Sequence, residues 1–283
     1  MTNSESRIRR WLRRRRAPVV PVVRLSGMIG GPALRATGLT LATLNPALER
    51  AFKIRGAKAI ALAVNSPGGS PVQSALITER IRGLAAEKEL PVLAFIEDVG
   101  ASGGYWLALA ADEIFAEARS IVGSIGVVHA SFGFTEAIER LGVERRLHTA
   151  GEHKSLLDPF RPQDPDDVAR LMTILEDIHG GFKAMVRERR GERLNGSDGD
   201  LFEGQIWTGQ RALELGLIDG LGTLHTILKE RFGDEVRLPE IKPTRSWLQR
   251  RFGFAGTPAD ARALAEGLLA ALEERVLWSR YGL

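Results

Sequence analysis

The chain has 283 residues, 44% apolar and 26% charged, enough to bury a full hydrophobic core and ordinary for a globular protein. It contains no cysteine, which excludes disulfides, thiolate metal sites and a cysteine nucleophile and fits a reducing compartment. The isoelectric point near 9.7 is a local effect: residues 1–16 carry seven arginines and one acid, a net of +6 against +4 for the whole chain, which leaves −2 for residues 17–283.

That tail comes first in the chain. Ile8, Trp11 and Leu12 fall at helical spacing among the arginines, a pattern that suits either a short helix lying on an anionic membrane surface or a solvated charged arm. The apolar run after it, Ala17 to Val23, holds two prolines and stops at Arg24, and no run approaches 18 apolar residues. Neither a secretory signal nor a transmembrane span is therefore expected. The expected location is cytoplasmic, with peripheral contact at the inner face of the membrane.

Val19 to Leu25 reads as a strand, followed by a glycine-rich loop from Ser26 to Thr40. Asn45 reads as a helix N-cap with Pro46 behind it. Lys58 to Val64 is a second strand, running into the turn Asn65-Ser66-Pro67-Gly68-Gly69-Ser70 and a helix from Pro71 to Ala86. The proline-bounded run Pro91 to Ile96 is a third strand, and Tyr105 to Ala111 a buried helix. Beyond them lie the glycine-punctuated apolar segment Ile121 to Val128, a helix over 134–141, a strand over 143–149 and the polar loop Gly151 to Ser155. A long amphipathic helix over 164–190, a helix over 208–215 and a last helix from Thr257 to about Arg280, striped by Leu264, Leu268 and Leu272, complete the reading. Strands alternating with helices predict an α/β domain with a mainly parallel sheet.

Ser102 stands where the third strand turns into a helix, inside Gly100-Ala101-Ser102-Gly103-Gly104. There a hydroxyl points off the sheet, and the helix N-terminus offers free N–H groups to a developing oxyanion. The same serine could simply cap the helix. The Gly68-Gly69 turn also follows a strand and opens a helix, so adjacent parallel strands would set the two turns side by side. A serine nucleophile needs a base. G-x-S-x-G with Asp219 and His225 would complete a hydrolase triad, but the HGGG-type oxyanion loop of that fold is missing. Lys154 fits better as a base, provided burial lowers its ammonium by roughly 3 pKa units, about 4 kcal/mol.

Five ordered motifs then carry a resemblance: Asn65-Ser66-Pro67-Gly68-Gly69, Ala101-Ser102-Gly103-Gly104-Tyr105, Gly123-Ser124-Ile125-Gly126-Val127, the Lys154 loop, and Thr208 to Asp219. Together they resemble the signal peptide peptidase A (protease IV, SohB-like) family of serine–lysine peptidases, over about Val19 to Phe232. The resemblance implies a Clp-protease/crotonase-like fold, with Ser102 as nucleophile, Lys154 as general base and Ser124 orienting the lysine. The backbone N–H groups of Gly103 and Gly69 would form the oxyanion hole, and no metal or cofactor is implied. Ring-like homo-oligomers, in which serine and lysine can come from one subunit or from neighbouring ones, are implied as well. Where such proteins commonly carry a membrane anchor, this chain has its arginine tail, and it has one copy of the domain.

The expected organisation is a basic tail over 1–17, a peptidase domain over 18–235 and a C-terminal helical extension over 236–283, which could serve as a subunit contact. The expected function is hydrolysis of peptides, such as cleaved signal peptides or other membrane-derived segments, through an acyl-serine intermediate. The alternatives are a crotonase-like acyl-CoA enzyme and a non-catalytic membrane-associated scaffold of the same fold. Nucleic-acid binding through the tail is disfavoured by the near-neutral body.

Overall fold

The computed structural model describes residues 17–30, 38–151 and 153–242, with Arg275, Trp278, Ser279 and Tyr281. The arginine tail, Glu152, and most of the helix expected from Thr257, its leucine stripe included, lie outside the described residues. In the first half of the chain, β1 (Val22–Ser26), β2 (Ile60–Ser66) and β3 (Val92–Ala101) alternate with α1 (Leu41–Phe52), α2 (Pro71–Lys88) and α3 (Gly103–Ala108). Then follow β4 (Glu113–Ala116), β5 (Ile121–Gly123), α4 (Thr135–Arg140) and α5 (Pro165–Arg190). The last described elements are α6 (Asp198–Leu201), β6 (Ile206–Thr208), α7 (Gly209–Glu214), β7 (Gly220–Leu221) and α8 (Leu224–Phe232).

The sheet runs β1-β2-β3-β4-β7 with parallel pairing throughout that path. β3 forks: Leu93 to Ile96 pair with β4, and Val99 to Ala101 pair with β5, which in turn carries antiparallel β6. The predicted α/β class with a mainly parallel sheet is what forms. Side chains alternate across the sheet with the period of two that a strand imposes. Ile60, Leu62 and Val64 of β2 and Val92, Ala94 and Ile96 of β3 pack under α1, α2 and α3. Ala59, Ala61, Ala63, Leu93 and Phe95 face the other way, where Leu228 and its neighbours on α8 cover them. Each large aliphatic side chain buried in this way contributes roughly 1.5–3 kcal/mol.

Three expectations are corrected. The first helix begins at Leu41, not at Asn45. Thr40 and Thr43 cap it reciprocally, Gln73 accepts from the Leu41 N–H at 2.9 Å, and Pro46 lies inside the helix. The strand expected over 143–149 does not form: these residues are exposed and pair with no strand among the described residues, and an apolar alternation without a ladder partner stays coil. The third strand runs on to Ala101, past the point where its apolar run ends at Ile96. Beyond α8 the chain packs on the body once more. Val20 and Val22 N–H groups donate to the Arg237 and Pro239 carbonyls, which covers the free edge of β1.

α5 is fixed to the sheet by a buried ion pair. Arg190, its last residue, donates to both carboxylate oxygens of Asp219 at 2.7 and 3.0 Å and to the Gly216 carbonyl. Burial alone would raise the Asp219 carboxyl. The hydrogen bonds from Arg190 and from the Ile114 N–H, with the charges of Arg190 and Arg193, outweigh that and hold it below the usual carboxylate range. A depressed folded-state pKa gives stability that is present above the unfolded value, about 3.9, and is lost as pH falls through the folded value. Asp219→Asn leaves a buried guanidinium without its counter-charge. It should cost about 3–5 kcal/mol in urea unfolding at neutral pH and lessen the fall of stability in acid. Gly180 and Gly181 are exposed in the middle of α5, with open space where a Cβ would sit, so either one changed to Ala should add up to about 1 kcal/mol in the same assay.

Candidate active site

The carboxyl ends of β2, β3 and β5 lie side by side because β3 is the shared neighbour of the other two. Between Ile96 and Gly100 β3 advances four residues while β2 advances two, from Val64 to Ser66. The extra residues, Glu97 and Asp98 among them, form a bulge that re-aims the end of the strand. Asn65 fixes it from β2: its amide donates to Asp98 at 2.7 Å and its carbonyl accepts from the Val99 N–H at 3.1 Å.

At the end of the re-aimed strand Ser102 has φ 52° and ψ −123°, a conformation that side chains other than glycine rarely adopt. Such backbone costs of order 1–3 kcal/mol and persists where its surroundings over-determine it. Here the Ser102 N–H donates to Gly123 of β5 at 2.8 Å, and its carbonyl accepts from Trp106 at 3.0 Å. Its side chain makes no capping bond, so the capping alternative fails and the half-buried hydroxyl has no partner among the described residues.

The Gly68-Gly69 turn lies against this serine. A Cβ on Gly68, at φ 107°, would stand 2.8 Å from the Ser102 Cβ and 2.9 Å from the Gly103 nitrogen, so only glycine allows the approach. Gly69 forms a parallel bridge with Ile29, in which Ile29 donates to the Gly68 carbonyl and Ser70 donates to the Ile29 carbonyl, both at 2.8 Å. In that ladder the N–H of Gly69 points to the opposite side, and it finds no acceptor among the described residues. Gly103, first in α3, has a free N–H by its position in the helix. Among the described residues, the N–H groups of Gly69 and Gly103 and the Ser102 hydroxyl all lack a partner, on turns that the close approach of Gly68 to Ser102 brings together.

Ser124 follows β5 directly, and it too has a positive φ, 53°. Its N–H donates to the Gln205 carbonyl at 2.6 Å, and its own carbonyl accepts from Gly126 at 3.0 Å. Since Ser102 is bonded to Gly123, the two serines sit on adjoining strand ends. Lys154 is elsewhere. It lies exposed on the long arm between β5 and α5, and its side chain is bonded to neither serine. The chain thus brings together Ser102, Gly103, Gly69 and Ser124, and leaves Lys154 apart. The triad alternative is dismantled: Asp219 is committed to Arg190, and His225 lines a cavity with Phe95 and Leu224 on the α8 side of the sheet. Among the described residues no group of three or more His, Asp or Glu is placed to hold a metal ion.

Sequence reasoning did not single out Gly68 for close approach to the nucleophile, nor Asn65 for the bulge. Both stood inside a motif already noted, and the signal for each was its place at the end of a strand. Gln205, whose carbonyl holds Ser124, left no sequence signal, because a backbone acceptor carries no residue identity.

Residues 85–234 match the model of peptidase family S49. Over 273 residues the chain is 51% identical to a Brucella melitensis biotype 1 protein named Na(+)/H(+) antiporter NhaA, a match covering 93% of this chain and 37% of that protein. This chain therefore spans just over a third of that relative. A Synechocystis protein provisionally named a protease is 28% identical over 88% of this chain and 91% of its own length. Protease 4 of Haemophilus influenzae is 32% identical over 67% of this chain and 30% of its own length. No helix among the described residues is long and apolar enough to cross a membrane.

Gly68→Ala is the sharpest test of the paired turns. It should lower stability by about 1–3 kcal/mol and sharply slow the reaction of Ser102 with an active-serine reagent. Gly83→Ala, exposed on α2 with open space where a Cβ would sit, should leave that reaction unchanged.

Proposed function

This chain belongs to peptidase family S49, and on that footing we propose that it is a serine peptidase working through Ser102 and Lys154. The observation that carries the reading is the strained strand-to-helix turn at Ser102, its hydroxyl free and the N–H groups of Gly103 and Gly69 beside it. The Ser102 Oγ attacks the scissile carbonyl carbon and passes its proton to the Lys154 amine, while the two N–H groups receive the negative charge that forms on the carbonyl oxygen. The tetrahedral adduct collapses, the C–N bond breaks, and the leaving nitrogen takes the proton from Lys154. Water then gives up a proton to the same amine and attacks the Ser102 ester; the bond to Oγ breaks, Lys154 returns the proton to Oγ, and the product acid leaves as its carboxylate, its proton going to solvent. One oxyanion donor contributes about 2.7–4 kcal/mol. Ser124 orients the lysine.

A lysine accepts a proton only as the free amine, and burial is what favours that form. Because Lys154 is exposed on its own chain, the site is completed by a second copy that buries it. The arm that carries Lys154 supports this. Val128, Phe132 and Leu141 are 70%, 81% and 76% exposed, and Phe132, Phe134 and Phe160 form a run of rings 6.3 and 5.7 Å apart. So much contiguous apolar surface marks an interface between proteins. A homo-oligomer in which one subunit's arm seats its lysine at the next subunit's serine accounts for the exposed lysine and the exposed rings together.

The substrates are peptides or unfolded segments, among them cleaved signal peptides or other membrane-derived pieces. The arginine tail places the body at an anionic membrane surface on the cytoplasmic side, without nucleic acid as a partner. Ser102→Ala and Lys154→Ala should each lower kcat/KM on an unstructured peptide by about a thousandfold or more. If the lysine comes from the neighbour, mixing the two inactive proteins under exchange conditions should restore part of the activity, since mixed assemblies contain intact pairs. Full activity in Lys154→Ala, or in a chain that sediments as a monomer, would overturn the shared site.

A further inference from the structure

His179 is the one histidine that reaches the strand ends of the site, and nothing in the reaction above uses it. It lies on α5, half-buried, with Nε2 3.3 Å from the carbonyl oxygen of Ile125, the residue after Ser124. We infer that His179 is a positioning residue, whose Nε2–H fixes the Ser124 turn and thereby the alignment of the general base. The inference rests on the role proposed for Ser124.

The turn needs fixing. Ser124 holds a positive φ without being glycine, so its conformation must be imposed from outside. On one flank Gln205 accepts from the Ser124 N–H, and the Gly204 N–H donates to the Ile125 carbonyl at 3.2 Å. The Ile125 side chain is wholly buried. A carbonyl oxygen has two lone pairs, and His179 supplies the second donor to this one. An acceptor facing Nε2 selects the ring form that carries a proton there. With both donors in place, the peptide between Ile125 and Gly126, whose N–H donates to the Ser124 carbonyl at 3.0 Å, has one orientation.

The helix that presents His179 is itself anchored to the nucleophile's helix. Phe182, three residues on, stacks on Trp106 of α3 with ring centroids 4.6 Å apart. Arg189 donates to the Leu109 and Ala111 carbonyls, just beyond the end of α3. α5 therefore touches the element that bears Ser102 and the turn that bears Ser124, and His179 is its contact with the second. On its N-terminal side the same helix leads directly from the arm that carries Lys154.

The test compares His179→Phe, which keeps ring volume and loses the donor, with His179→Gln, which keeps an N–H at similar reach, in the full-length assembled protein. Hydrogen exchange of the segment 121–128 reads the turn without requiring activity. The rate at which a fluorophosphonate modifies Ser102 reads the consequence. In His179→Phe, exchange should quicken and labelling should slow by what one hydrogen bond supplies, about three- to tenfold. His179→Gln should stay near wild type in both. In a Ser124→Ala background, His179→Phe should slow labelling no further, because the effect passes through Ser124. Unchanged exchange in His179→Phe, or an equal slowing with and without Ser124, would overturn the inference. A wild-type Ser102 that never labels, with exchange still responding to His179→Phe and rescued by Gln, would sink the peptidase reading and uphold the clamp on the turn.

Discussion

Everything at the site depends on the fork in β3. One strand is paired with β2 on one edge and with β4, then β5, on the other, and the switch coincides with the bulge that Asn65 fixes. Parallel pairing sends the carboxyl ends of β2, β3 and β5 to the same edge of the sheet, and the bulge turns the middle one outward. Three polar turns that are distant in sequence then converge, at Gly68-Gly69, at Ser102 and at Ser124. Two of the three hold a serine in a conformation that glycine would favour. That strain is affordable only on a buried, fully paired sheet, which is why the core beneath it is so complete.

The approach of the first two turns was legible in the sequence because its causes are local, whereas Ser124 entered only through the family resemblance. A glycine pair after an apolar run, and a serine between glycines before a helix, are patterns that follow directly from backbone sterics. The first three strands were equally plain, since an apolar run bounded by glycine or proline can hardly do anything else, whereas the short β4, β5, β6 and β7 were not read as strands. Long-range causes left weaker traces. The helix start at Leu41 depends on Gln73, 32 residues away, so the nearer proline pair at Asn45-Pro46 misled. The segment over 143–149 has strand-like residues but no partner edge, and a ladder is a property of two segments. Asp219, a candidate triad member by order alone, was claimed by Arg190, a pairing that only the fold reveals.

The body and the arm differ physically. The body buries its apolar residues on both faces of the sheet and ties α5 down with Arg190, Arg189 and Phe182. The arm exposes its aromatic rings and holds itself together with contacts such as Arg145 over the Phe160 ring and its ion pair to Asp158. A peptidase that kept its base away from its nucleophile until subunits met would be inert as a free chain. Family membership, the free hydroxyl between two free N–H donors and the exposed lysine are all consistent with that division.

The most direct measurement is mass mapping of the assembled protein after treatment with a fluorophosphonate. A single adduct on Ser102 is expected, lost in Ser102→Ala and suppressed in Lys154→Ala. An assembled protein that takes no adduct at Ser102, or takes it equally well without Lys154, would contradict it.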